Sequence, residues 1–170
     1  GIFRSMVRNP ALHTVNLVAD PVRIRQHIVP VSIAPGTGVY IDGYYHVLSA
    51  YIRGSSVLLT TLEKYDTNTW QRVEILSSGS DVPTSLVYNP KDGKTYGCYP
   101  ANSSLFRLCT LDLTSGVKTN GGVLDQRYVA LFTDNSGKVY GIGLDGNLCQ
   151  LNLETAEATV IGATGVTPSI

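Results

Sequence analysis

Charge is scarce in this chain. Only 15% of its 170 residues are Asp, Glu, Lys or Arg, and thirteen basic residues balance thirteen acidic ones. A neutral balance exerts no pull on nucleic acid or an anionic membrane, so neither is expected as a partner. Long hydrophobic runs are also missing. The 43% of residues that are hydrophobic are spread along the chain, and no window approaches the ~20 consecutive apolar residues of a membrane span. No apolar leader follows Gly1-Ile2-Phe3-Arg4, although an opening glycine also fits a chain from which one has been removed.

Cysteine is limited to Cys98, Cys109 and Cys149. No pair has CxxC spacing and no histidine is close in sequence, so neither a metal nor any other cofactor is expected. Cys109 shares strand parity with Leu111 and Leu113, Cys149 with Leu151 and Leu153, and Cys98 with Tyr96. All three are therefore expected to point inward as free thiols acting as small hydrophobes. A Cys98–Cys109 bridge across one hairpin is the alternative, and it would favour an oxidising compartment.

Turn and sheet formers are abundant, with 17 glycines and ten tyrosines. Tyr128 to Thr133 is an apolar β-prone run that stops at Asp134-Asn135-Ser136-Gly137. Lys138 to Leu144 resumes as a strand, Asp145-Gly146 turns it, Leu148 to Leu153 follows, and Glu154 to Glu157 leads into Ala158 to Ile161. Three such connections in about 35 residues leave no room for a crossover helix, which predicts an antiparallel four-stranded meander.

The unit recurs. Gly137-Lys138-Val139-Tyr140-Gly141 matches Gly93-Lys94-Thr95-Tyr96-Gly97, and Leu148-Cys149-Gln150-Leu151-Asn152-Leu153 matches Leu108-Cys109-Thr110-Leu111-Asp112-Leu113. Offsets of about 40–44 residues fit a blade-sized repeat. A more divergent copy starts near Val39. The expected organisation is a leading segment 1–38, supplying strands, a linker or a divergent repeat, and repeats at 39–80, 81–124 and 125–166.

Two resemblances follow from these motifs. Lys64-Tyr65-Asp66-Thr67-Asn68-Thr69-Trp70 resembles the third-to-fourth strand corner of a kelch repeat. The Gly-Lys-x-Tyr-Gly strand, the Leu-x-x-Leu-Asp-Leu strand and the turn at Thr114-Ser115-Gly116, with Glu154-Thr155-Ala156 in its place in the last copy, resemble blades of bacterial secreted propeller proteins. The resemblance implies an all-β, β-propeller-like fold and a secreted or cell-surface location. Three blades fall short of the roughly four to eight of a closed propeller. The chain is thus expected to be a partial propeller, its open faces covered by self-association or by the remainder of a longer protein.

The leading segment predicts strands at His13–Val18 and Val22–Ile33, then a loop at Pro30 to Gly38. Arg4, Arg8, Arg23 and Arg25 are read as a solvated face, with an anion-binding patch as the alternative. His46 is expected to be satisfied within the sheet, and Trp70 to pack between blades. Asn89 to Gly93 and Asp134 to Gly137 carry too few carboxylates for calcium loops and are read as turns.

The resemblance also implies a ligand-facing edge, made by loops joining the fourth strand of one blade to the first of the next and by those joining second and third strands. Carried onto this sequence, its residues are Arg53, Asp81, Asn102, Asp125, Gln126, Arg127, Asp145 and Asn147, with Tyr44 or Tyr99 as stacking surfaces. A non-catalytic module binding a glycan or a protein is the first expectation. A carbohydrate-active lyase or hydrolase, using Asp81 and Asp125 as a carboxylate pair, is the second. A purely structural assembly domain is the third.

Overall fold

The structure is a computed structural model that describes residues 2–4, 11–16, 18–28, 33–53, 56–79 and 81–168. Those residues form four antiparallel sheets and no helix. The first sheet has three strands, β1 (Ile2–Arg4), β2 (Ala11–Asn16) and β3 (Arg23–Ile28), paired in that order. The second holds β4 (Ile33–Ile41), β5 (Tyr44–Arg53), β6 (Ser56–Asp66) and β7 (Arg72–Gly79). In the third, β8 (Ser85–Asn89), β9 (Lys94–Pro100) and β10 (Phe106–Leu111) are completed by β11 (Lys118–Thr119) and β12 (Val123–Leu124), both paired with β10. The fourth holds β13 (Tyr128–Thr133), β14 (Val139–Gly143), β15 (Asn147–Leu151) and β16 (Ala158–Ala163). The all-β meander expected from the sequence is the fold observed.

The same corner closes the third strand of each of the last three sheets. Asp66 Oδ1 accepts the backbone N–H groups of Asn68 (2.8 Å) and Thr69 (3.2 Å). Asp112 Oδ1 does the same for Thr114 (2.7 Å) and Ser115 (3.3 Å), and Asn152 Oδ1 for Glu154 (2.9 Å) and Thr155 (3.1 Å). Four residues after the opening Asp or Asn, the chain enters the left-handed region at Trp70 (φ 57°), Gly116 (φ 73°) and Ala156 (φ 65°). There the backbone N–H donates to the carbonyl of the opening Asp or Asn at 2.7–2.8 Å. A side-chain acceptor two residues from its donor is a local motif, which is why such different strings as Asp-Thr-Asn-Thr-Trp and Asn-Leu-Glu-Thr-Ala fold alike.

Strand alternation then sends side chains to two interfaces. Val39, Leu48 and Leu62 of the second sheet bury against Leu86, Tyr99, Cys109 and Leu111 of the third. Val87, Tyr96, Cys98 and Leu108 point the opposite way and bury against Tyr128, Val139, Cys149 and Leu151 of the fourth. Because β9 is covered on both faces, its five central residues are all buried. At the second interface Thr84 and Ser85 hydroxyls donate to the Tyr128 carbonyl oxygen at 2.8 and 3.0 Å. The first strands β4, β8 and β13 lie side by side and wall an open trough of about 530 Å³.

The fourth sheet ends the stack. Register places Phe132 opposite Tyr140 as it places Val87 opposite Tyr96 in the third sheet. Val87 and Tyr96 are buried by the next sheet, whereas Phe132, 40% exposed, stacks on Tyr140 with centroids 5.6 Å apart.

The three cysteines are buried and free, as expected, whereas other expectations are corrected. Cys98 is opposite Leu108 and Cys109 opposite Gly97, so the two thiols lie on opposite faces of the sheet and no hairpin bridge can join them. The loop expected up to Gly38 is part of β4, where a register shift between Ile33 and Gly38 absorbs the Pro-Gly sequence as a bulge. Gly38 itself lies under the Tyr45 ring, where a Cβ would collide. Ile24, an apolar residue of β3, is 63% exposed. Arg8, Pro30 and residues 54–55 lie outside the described residues.

Candidate functional site

The loops expected to face a ligand fall together at one edge of the sheets, but most of their polar groups are already used. Asn102, between β9 and β10, accepts the backbone N–H groups of Ser104 (3.0 Å) and Leu105 (2.8 Å) on Oδ1. Asp145, between β14 and β15, accepts the Asn147 backbone N–H at 3.0 Å and its side-chain amide at 2.8 Å. These bonds, the backbone one first, hold the Asp145 carboxyl below the usual range. Asp125 accepts the Tyr128 hydroxyl at 3.0 Å. Such bonds fix the loops and leave less capacity for a ligand.

Two residues of this edge retain unused donors. Gln126 accepts the Asp145 backbone N–H at 3.3 Å on Oε1, and its amide lies against Gly143, where a Cβ would displace it. Arg127 accepts the Leu144 backbone N–H at 3.2 Å on its carbonyl, and its Nε is buried with no hydrogen-bond partner. The structure therefore brings Asp125, Gln126, Arg127, Asp145 and Asn147 into one connected ledge on the fourth sheet. Asn102 caps a separate loop. Arg53 ends β5, and its side chain lies outside the described ones.

Asp81 pairs with Lys118, whose Nζ also sits 5.1 Å from the Tyr99 ring centroid. Tyr99 is only 2% exposed and is a core residue, so it offers no stacking surface. Tyr44 is exposed, and Lys64 Nζ covers its ring at 4.4 Å. Trp70 meets Tyr45 of its own sheet, with centroids 6.2 Å apart.

A cleft of about 470 Å³ opens at the opposite edge, between the second and third sheets. Its polar wall includes a cross-strand row, His46 opposite Lys64 and Lys64 opposite Glu74, faced by Lys94 and Thr110 of the third sheet. His46 was expected to be satisfied within the sheet. It is 9% exposed, yet Nδ1 is buried without a partner. An unmatched buried polar atom of this kind costs about 1–3 kcal/mol. Burial, then Lys64, pushes the imidazole below its usual range, with Glu74 opposing, so the ring is held neutral. Lys64 and Glu74 escape a linear reading because only the register of three strands sets them beside His46.

No family model matches the chain, and no curated protein does. Among solved structures it is similar to the Dos1 propeller at 16% identity and a TM-score of 0.51, over 92% of this chain and 43% of that one. A mitotic checkpoint complex chain is similar at 12% identity and a TM-score of 0.47, over 85% of this chain and 46% of that one. The chain thus spans less than half the length of these structures. Its four-stranded antiparallel meanders, stacked with their first strands side by side, are those of a propeller-like fold.

Proposed function

We propose that the chain is a non-catalytic binding module that presents the Asp125–Arg127 ledge to a protein or glycan ligand. The observation that supports this is the state of the two carboxylates a hydrolase would need. Asp81 is paired with Lys118 of β11 and Asp125 is engaged by the Tyr128 hydroxyl, so each carboxylate already has a partner of its own. A retaining or inverting pair instead faces one substrate bond across roughly 5–9.5 Å. The ledge, by contrast, is held by its own turns and keeps Gln126 and Arg127 for recognition, an arrangement that lowers the ordering cost of binding.

Glycan-array and peptide-display binding of the intact chain tests the proposal. A ligand whose affinity falls at least about tenfold in Gln126→Ala and Arg127→Ala, a loss of about 1.4 kcal/mol, supports it. Turnover of a polysaccharide that disappears in Asp81→Asn and Asp125→Asn would replace it with the enzymatic reading.

The open face of the fourth sheet favours a second reading, in which the module also assembles. Ala130, Phe132, Tyr140, Ile142 and Leu148 lie on the face turned away from the third sheet, at the places that in the third sheet bury against the fourth. Light scattering over a concentration series would show a multiple of 18.3 kDa that reverts to the monomer in Phe132→Ser.

A further inference from the structure

We infer that the cleft between the second and third sheets binds a small zwitterion, a ligand of amino-acid type with one carboxylate and one ammonium group. This site is separate from the loop ledge and independent of it. Lys64 and Glu74 are directly opposite in adjacent strands, where side chains of opposite charge ordinarily meet. No ion pair joins them, and Lys64 instead rests over Tyr44. Both line a cleft whose volume lies within the usual range for small-ligand sites. Lys94 adds a second cation on the facing sheet. Asp112, also in the wall, is spent on the Thr114 and Ser115 backbone N–H groups.

The unspent charges are therefore of both signs within one cavity. A simple anion would leave Glu74 unmatched and a simple cation would leave the lysines unmatched. A ligand with both groups matches them together, its carboxylate toward Lys64 and Lys94 and its ammonium toward Glu74. His46 also lines the cleft, with Nδ1 buried and without a hydrogen-bond partner. Ile41 and Leu113 supply an apolar wall for the ligand's carbon skeleton.

Titration calorimetry of the full chain against a panel of free L-amino acids, with acetate and methylammonium as single-charge probes, tests the inference. At least one amino acid is expected to bind, with Glu74→Gln and Lys64→Met each weakening it at least about tenfold. Acetate and methylammonium are expected to bind at least about tenfold more weakly, and the His46 ring nitrogen resonances to shift on saturation. Glu74 is exposed on the outer strand, so its substitution leaves the fold intact. Gln126→Ala on the ledge should leave this binding unchanged, which separates the two sites. No heat from any amino acid, binding unaffected by both cleft substitutions, or acetate binding as well as the amino acids would overturn the inference.

Discussion

Asn89 of the third sheet donates from Nδ2 to the carbonyl oxygen of Gly137 in the fourth, at 3.0 Å, while its Oδ1 accepts the Lys91 backbone N–H at 3.0 Å. The residue is 1% exposed, so water cannot replace either bond. It ties the first-to-second strand turns of two sheets at the end opposite Thr84 and Ser85.

Asn89→Leu removes both partners, from the Gly137 carbonyl and from the Lys91 backbone N–H. A loss of about 2 kcal/mol is expected, seen as a lower urea midpoint at constant m-value. An unchanged midpoint would mean that the tie contributes nothing to docking of the two sheets.

The repeated corner predicts a substitution pattern at Asn152. Asp occupies the equivalent place at Asp66 and Asp112, and a carboxylate oxygen accepts the same two N–H groups. Asn152→Asp is expected to change stability by less than about 0.5 kcal/mol, and Asn152→Ala to cost about 1 kcal/mol, by analogy with helix caps that use the same bond. Equal midpoints for the two variants would contradict this account.

Acid should weaken the fold through Asp134. Its carboxylate accepts from the Ser136 hydroxyl, the Tyr140 hydroxyl and the Lys138 and Ser136 backbone N–H groups, which depress its pKa from 3.8 to about 2. The unfolded chain holds the proton more tightly, so the contribution is complete above about pH 4 and is lost as pH falls toward 2. Asp134→Asn should flatten the stability profile in that window, measured by urea unfolding at stepped pH. A profile identical to that of the parent chain would argue against the assignment.

Thiol reactivity reports on the packing. Burial raises the pKa of the Cys98 and Cys149 thiols, and Cys109 is sealed in the other interface. A thiol reagent should react slowly with the native chain and promptly with all three thiols in denaturant. Fewer than three reactive groups in the denatured, unreduced chain would indicate a bridge that the opposite-face geometry forbids.

The meander, its turns and its blade-like repeat were legible in the sequence because they are local. Alternation sets which face a residue occupies, and Asp or Asn bonding two residues ahead sets each corner. The inward parity of Cys98, Cys109 and Cys149 followed from the same alternation. The loop before Val39 was misread because Pro35 and Gly36 signal a turn unless a neighbouring strand takes them up as a bulge. Loop polarity was misleading for a related reason. Asn102, Asp125 and Asp145 are polar at the expected edge, but only the folded loops show that their own turns consume them.

The sequence by itself determined the strand periodicity, the turn chemistry and the repeat, since each depends on interactions spanning a few residues. Tertiary structure alone decided which sheet face meets which, and therefore that Cys98 and Cys109 bury in different interfaces. It also decided that His46, Lys64 and Glu74 share one cleft. Those outcomes depend on register between strands and stacking between sheets, where the pairing residues are separated by ten to twenty positions or more and no local signal couples them.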